Sequence, residues 1–72
     1  MQQTNVTPKE KQILELTFTG KQKKEVAVIM GLQPSAIKWH MANLHRKFSA
    51  STTTEVIYKA LQQGILKAPE PS

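Results

Sequence analysis

Gly31 and Pro34 divide the middle of the chain into two helices that must meet in a tight turn. Glycine readily takes the left-handed conformation that ends a helix, and proline suits the first helical position, where its missing N–H costs nothing. Ala27, ahead of the turn, is small enough for two helices to cross closely, and Ile37, beyond it, is a branched apolar anchor one turn into the second helix. Advancing about 100° per residue from Ile37 places Met41, Leu44 and Phe48 along one apolar stripe. Ser35, Trp39, Ala42 and Arg46 fall roughly opposite, with Lys38 and Asn43 on the flanks. This helix, expected over about 34–48, has one face to bury and another that offers cations, an amide and a flat aromatic.

The remaining elements follow from caps and stops. Thr7-Pro8-Lys9-Glu10 combines a capping Thr, a Pro at the first position and a Glu placed to complete a capping box. It predicts a first helix to about Phe18, with Ile13, Leu14, Leu16 and Thr17 on one face, Lys11 and Glu15 opposite, and Gly20 closing it. A second, short helix is expected over 22–30; Glu25 sits where a capping acid belongs, although Gln22 is a poor cap. Val26, Ala27, Val28, Ile29 and Met30 go almost all the way round that helix. A surface helix of so small a domain cannot bury them all, so Val28 and Ile29 are expected to be exposed or covered by a partner. Thr52-Thr53-Thr54-Glu55 offers an intact capping box for a fourth helix to about Gln63, with Gly64 as its stop. Val56, Ile57 and Ala60 are expected to face the core. Tyr58, Leu61 and Ile65 then form a second apolar edge, suited to a two-fold contact or else a surface of scattered apolar groups. With no strand alternation, repeat or linker, the expected class is all-α, four helices with short connections. Residues 1–6 are expected to be a flexible N-terminal segment, 7–66 the domain and 67–72 a disordered tail.

With 72 residues and no cysteine, the chain must hold together by helix packing, without disulfides or a thiolate metal site. The lack of cysteine makes an intracellular setting the default. No apolar run approaches the roughly 18 residues of a membrane span, so no membrane association is expected, and the N-terminus lacks a signal-peptide core. The formal net charge of +5 favours nucleic acid or another anionic partner, though it also serves simple solubility. Ser35 has no triad partners, and paired carboxylates and a Gly-rich phosphate loop are both missing, so no catalytic site is expected. His40 and His45 fall on opposite edges of the apolar stripe and make a poor metal pair. No metal, cofactor or small-molecule ligand is expected.

Ala27, Gly31 and Ile37 meet the steric needs of a helix-turn-helix unit, whose second helix enters the major groove; a plain helical corner uses the same residue types. Thr7-Pro8-Lys9-Glu10, Ile13-Leu14, Gly20, Lys24-Glu25-Val26-Ala27, Met30-Gly31-Leu32, Ile37-Lys38-Trp39-His40 and Arg46-Lys47-Phe48 complete a longer pattern. Together they resemble the LuxR/GerE-type helix-turn-helix domain of bacterial transcription regulators. The resemblance runs without gaps from about Val6 to Leu66. It implies a four-helix DNA-binding domain with its recognition helix at about 34–48. It further implies double-stranded DNA at promoters as the partner, homodimers paired through the fourth helix, and work at the bacterial nucleoid in the cytoplasm.

By that resemblance, Lys38 falls on the family's groove-contacting Lys and Trp39 on a neighbouring base-contacting position that is commonly Val. Ala42 falls on a third contact position that is often longer and polar. With Asn43 and Ser35 from the outward face, these are the base-reading candidates. Lys24 matches a Lys near the second helix, and Arg46 and Lys47 match a basic pair near the end of the recognition helix. With Lys23, these are the phosphate candidates, since phosphate contacts outnumber base contacts. A solvated side chain is the alternative for each cation. Trp39 could pack on thymine methyls or sugar, mark a protein interface, or fold back along its own helix. Tyr58, Leu61 and Ile65 are the dimer-interface candidates.

The chain also departs from the family pattern. Ala36 replaces a frequent Thr, Gln22 and Gln33 replace common Ser caps, Ser49 replaces a usual Gly, and Thr53 replaces a frequent Arg that can meet phosphate. Val28 and Ile29 stand where the family tends to be polar. These changes thin the DNA contacts and support a second expectation, a small protein-interaction module on the same scaffold that modulates another regulator by heterodimerisation. Met1 and the Pro-rich tail suit a complete small protein, while an excised output domain of a larger regulator would begin the same way.

Overall fold

Residues 4–68 are described by the computed structural model. They form α1 (Pro8–Phe18), α2 (Lys23–Met30), α3 (Pro34–Lys47) and α4 (Thr53–Gln62), with no strand among the described residues. Three ends differ by one residue from the sequence expectation because Gln22, Phe48 and Gln63 are caps, half in and half out of their helices. Residues 1–3 and 69–72, expected to be loose, lie outside the described residues. Of the expected flexible segment 1–6, the described part makes contacts: the Thr4 N–H donates to Gln63 Oε1 at 2.6 Å, and Val6 packs on the core.

The N-terminal caps form where the sequence places them. Glu10 N–H donates to Thr7 Oγ1 (3.2 Å), and Glu10 Oε1 accepts from Thr7 N–H (3.0 Å), closing a reciprocal box. Gln22 N–H donates to Glu25 (3.0 Å) at the start of α2. At α4, Thr52 Oγ1 accepts from Glu55 N–H as expected, but Glu55 Oε1 reaches past Thr52 to the Ser51 N–H at 2.9 Å. The expected Thr52–Glu55 box is therefore open on one side.

All four helices end in the same paired hydrogen bonds. After α2, Leu32 N–H donates to Ala27 O (2.9 Å) and Gly31 N–H to Val28 O (3.2 Å), with Gly31 left-handed at φ +66. This is the Schellman arrangement, which satisfies carbonyls that would otherwise lack partners. It recurs around Gly20 and Gly64. After α3 it forms around Ser49, at φ +52, a conformation that a side chain disfavours.

α3 packs against each of the other three helices and is the hub of the fold. Its stripe Ile37, Met41 and Leu44, with Phe48, is buried against Ile13 and Leu14 of α1, Val26 and Ala27 of α2, and Val56 and Ala60 of α4. Leu66 completes this core from beyond Gly64. Ile57, expected to face the core, packs against it and is partly buried. Leu61 and Ile65, expected on a separate edge, pack partly against their own core, which leaves Tyr58 as the exposed apolar group of that edge.

Candidate nucleic-acid interface

Because α3 is held along one stripe by all its neighbours, the opposite face is fixed in direction and turned to solvent. Ser35, Lys38, Trp39, Ala42 and Arg46 are exposed there, while Asn43 is half-buried. Trp39 is 63% exposed, and its ring meets His40 edge-on at 5.1 Å. It does not fold flat along its helix. Arg46 Nη2 donates to Asn43 Oδ1 at 2.6 Å, one turn back. That bond holds the guanidinium against the helix while leaving donors free, and it occupies the Asn43 carbonyl. Lys38 has no ion-pair partner among the described residues. Lys23 and Lys24 lie exposed on the first turn of α2, and Lys24 and Val28 line a shallow groove with Gly31, Gln33 and Pro34.

Lys47 is placed otherwise than its neighbour Arg46. Its ammonium lies 2.7 Å from Glu10 Oε1, an ion pair joining the end of α3 to the start of α1. Glu10 is buried, so a solvated carboxylate is not available to it. Burial alone would raise its pKa. The Lys47 hydrogen bond and charge, with the hydrogen bonds at Thr7, outweigh that and hold the carboxyl below its ordinary value. Lys47 thus meets an internal acid within the chain itself.

The far end of α3 is held from α4. Lys59 Nζ donates to Phe48 O (3.0 Å) and Ser49 O (3.1 Å) and pairs with Glu55 Oε2 at 3.4 Å. The Ser51 N–H, followed by Lys59, keeps the Glu55 carboxyl below its ordinary range. His45 Nε2 lies 3.2 Å from Thr53 Oγ1, so Thr53 meets a histidine across the α3–α4 corner. His40 Nδ1 is buried without a hydrogen-bond partner among the described residues. Among the described residues there is no cluster of three or more His, Cys, Asp or Glu fit to hold a metal. No helix among them is long and apolar enough to cross a membrane. Glu10 as an anchor for Lys47, and Lys59 altogether, were missed from sequence. The Thr7–Glu10 box showed the acid but not its second partner, and no local pattern marks Lys59.

Val28 and Ile29 are 81% and 50% exposed, uncovered by anything among the described residues. Of the dimer candidates, Tyr58 is exposed and Leu61 and Ile65 are half-buried. The Tyr58 hydroxyl accepts from Gln62 Nε2 at 3.3 Å.

Residues 4–60 match the family described as bacterial regulatory proteins, luxR family. The transcriptional regulatory protein MctR of Rhizobium johnstonii is 36% identical over 61 residues, which cover 85% of this chain and 28% of that protein. The regulatory protein SdiA of Escherichia coli is 31% identical over 62 residues, covering 86% of this chain and 26% of its own length. The Vibrio cholerae VqmA dimer, solved in the absence of target DNA, matches with a TM-score of 0.81 at 28% identity, over 88% of this chain and 28% of that one. A VqmA–ligand–DNA complex matches with a TM-score of 0.80 at 28% identity, over 90% and 29%. The chain spans little more than a quarter of the length of these proteins.

Proposed function

The chain belongs to the luxR family of bacterial regulatory proteins, and from that premise we propose that it is a DNA-binding transcription regulator whose α3 reads the major groove. Support comes above all from one observation. The helix locked into the core by Ile37, Met41 and Leu44 presents Ser35, Lys38, Trp39, Ala42 and Arg46 together on its open side. Lys38 is the principal base-reading residue, with Trp39 packing on thymine methyls or sugar. Asn43 acts through Arg46, and Ala42 and Ser35 allow close approach. Lys23, Lys24 and Arg46 meet phosphates. Lys47 serves mainly to hold α3 onto α1.

Two chains pair through α4 around Tyr58, with the exposed edges of Leu61 and Ile65, so that two recognition helices span two half-sites. The protein works at the bacterial nucleoid in the cytoplasm and uses no cofactor or small ligand of its own. A binding titration on promoter duplexes across a salt series, read with the solution mass, tests this. Phosphate contacts from Lys23, Lys24 and Arg46 predict a log–log salt slope of about −2.7 per chain. No binding at low salt would remove the reading.

A second reading is favoured by the exposure of Val28 and Ile29, which suits a protein contact more than a phosphate backbone. On that reading the domain modulates another regulator by heterodimerisation. Capture of such a partner, unchanged by Lys38→Glu, would favour it.

A further inference from the structure

We propose that Lys59 is a positioning residue for DNA recognition, which grips from α4 the two carbonyls that cap the end of α3 and so sets where the C-terminal turns of the recognition helix lie. The inference rests on the DNA-reading role of α3 given above.

Two observations converge on this helix end. The Schellman closures after α1, α2 and α4 have Gly20, Gly31 and Gly64 in the left-handed position, whereas the one after α3 has Ser49. A Cβ in that conformation works against the closure, so the end of α3 is the least favoured of the four by its own backbone. It is also the end held from outside. Phe48 O and Ser49 O both accept from Lys59 Nζ, at 3.0 and 3.1 Å. The ammonium sits where the helix dipole is negative and where carbonyls lack intrahelical partners, so it is bound both as a donor and as a charge. Glu55 Oε2 steadies it one turn back on α4, and Glu55 is itself held by the Ser51 N–H.

The consequence falls on Arg46 and its partner Asn43, which lie within six residues of the gripped carbonyls. Without Lys59, the final turn of α3 keeps the buried Phe48 but loses the tie that offsets Ser49. That turn then samples open forms, as helix ends do when few contacts hold them. The Arg46 phosphate contact then loses its fixed place, and with it the register on which base readout by Lys38 and Trp39 depends. Non-specific attraction depends on charge and does not suffer.

The test compares wild type, Lys59→Met, which keeps the stem and drops the charge, and Lys59→Arg, which restores a donor. Each is titrated with a duplex selected from a random pool by the wild-type chain, and with a scrambled duplex of the same composition. Amide spectra of the free proteins are recorded alongside. Lys59→Met is expected to weaken binding to the selected duplex about tenfold while leaving the scrambled duplex and the salt slope unchanged. The amide signals of residues 46–50 move, those of α1 and α2 stay, and Lys59→Arg recovers most of the loss. A simple loss of stability would lower both affinities together without shifting the native spectrum. Equal weakening on both duplexes with a shallower salt slope would make Lys59 a phosphate contact and overturn the proposal. So would an unchanged spectrum with unchanged affinities. If the wild-type chain binds neither duplex, the DNA reading fails, and the amide spectra alone decide whether Lys59 holds the helix end.

Discussion

Removing the Glu10–Lys47 pair, one partner at a time and then together, separates an internal tie from an external contact. The carboxylate is almost fully buried, with its side chain 5% exposed, whereas the Lys47 side chain keeps 32%. Breaking a fully buried pair costs about 3–5 kcal/mol. Here the lysine released by Glu10→Gln can return to water, and the Gln still accepts from the Thr7 N–H, so about 1 kcal/mol is expected. Lys47→Met is harsher. It leaves a buried carboxylate with only Thr7 for a partner, and about 2 kcal/mol is expected. The double variant should cost less than the sum, with a coupling of about 1 kcal/mol.

In a domain of this size about 1 kcal/mol moves Tm by roughly 4–8 °C, within easy reach of thermal or urea unfolding followed by far-UV circular dichroism. The pH dependence gives a second readout. The Glu10 pKa is lower folded than unfolded, so its stabilisation is complete above its ordinary value of 4.5 and is lost as pH falls through the depressed one. Glu10→Gln should flatten that acid limb. A coupling of zero, with Lys47→Met weakening scrambled-DNA binding and lowering the salt slope, would place Lys47 on phosphate and refute the reasoning.

Other outcomes follow from the helix ends and the open face. Ser49→Gly relieves a left-handed φ of +52 and should stabilise the fold by about 0.5–1 kcal/mol, seen as a higher urea midpoint at an unchanged slope. Gly31→Ala should cost about 1 kcal/mol in the same assay; nothing lies within 4 Å of an added Cβ, so the penalty is the φ of +66 alone. Lys38→Ala and Trp39→Ala, both at exposed positions, should each weaken binding to a selected duplex by about 1–3 kcal/mol. Each should change unfolding stability by no more than about 0.5 kcal/mol.

What the chain discloses in advance is what neighbouring residues decide. Thr7 and Glu10, or Gly31 and Pro34, lie close enough together that cap and turn chemistry acts before any tertiary contact. The stripe Ile37, Met41 and Leu44 follows from helical period, and with it the direction of Lys38, Trp39 and Arg46. Partners of long charged side chains are another matter. Lys47 lies 37 residues from Glu10, and nothing in the run Arg46-Lys47 says that one cation bonds within α3 and the next reaches α1. Lys59 has the same anonymity in sequence, because its acceptors are backbone carbonyls that any residues would supply. Leu66 took a core place because the chain turns back after Gly64.

Trp39, the sole tryptophan of the chain, stands largely in water on the outward face of α3, and this makes it an optical probe of an unusual kind. Unfolding moves the indole from one aqueous setting to another, so its emission wavelength should report poorly on the loss of the fold. Lodging α3 between the walls of a groove would instead dry the ring and shift its emission to the blue. The unlabelled chain therefore carries an intrinsic signal that responds to occupancy of the outward face of α3 and is nearly silent to folding.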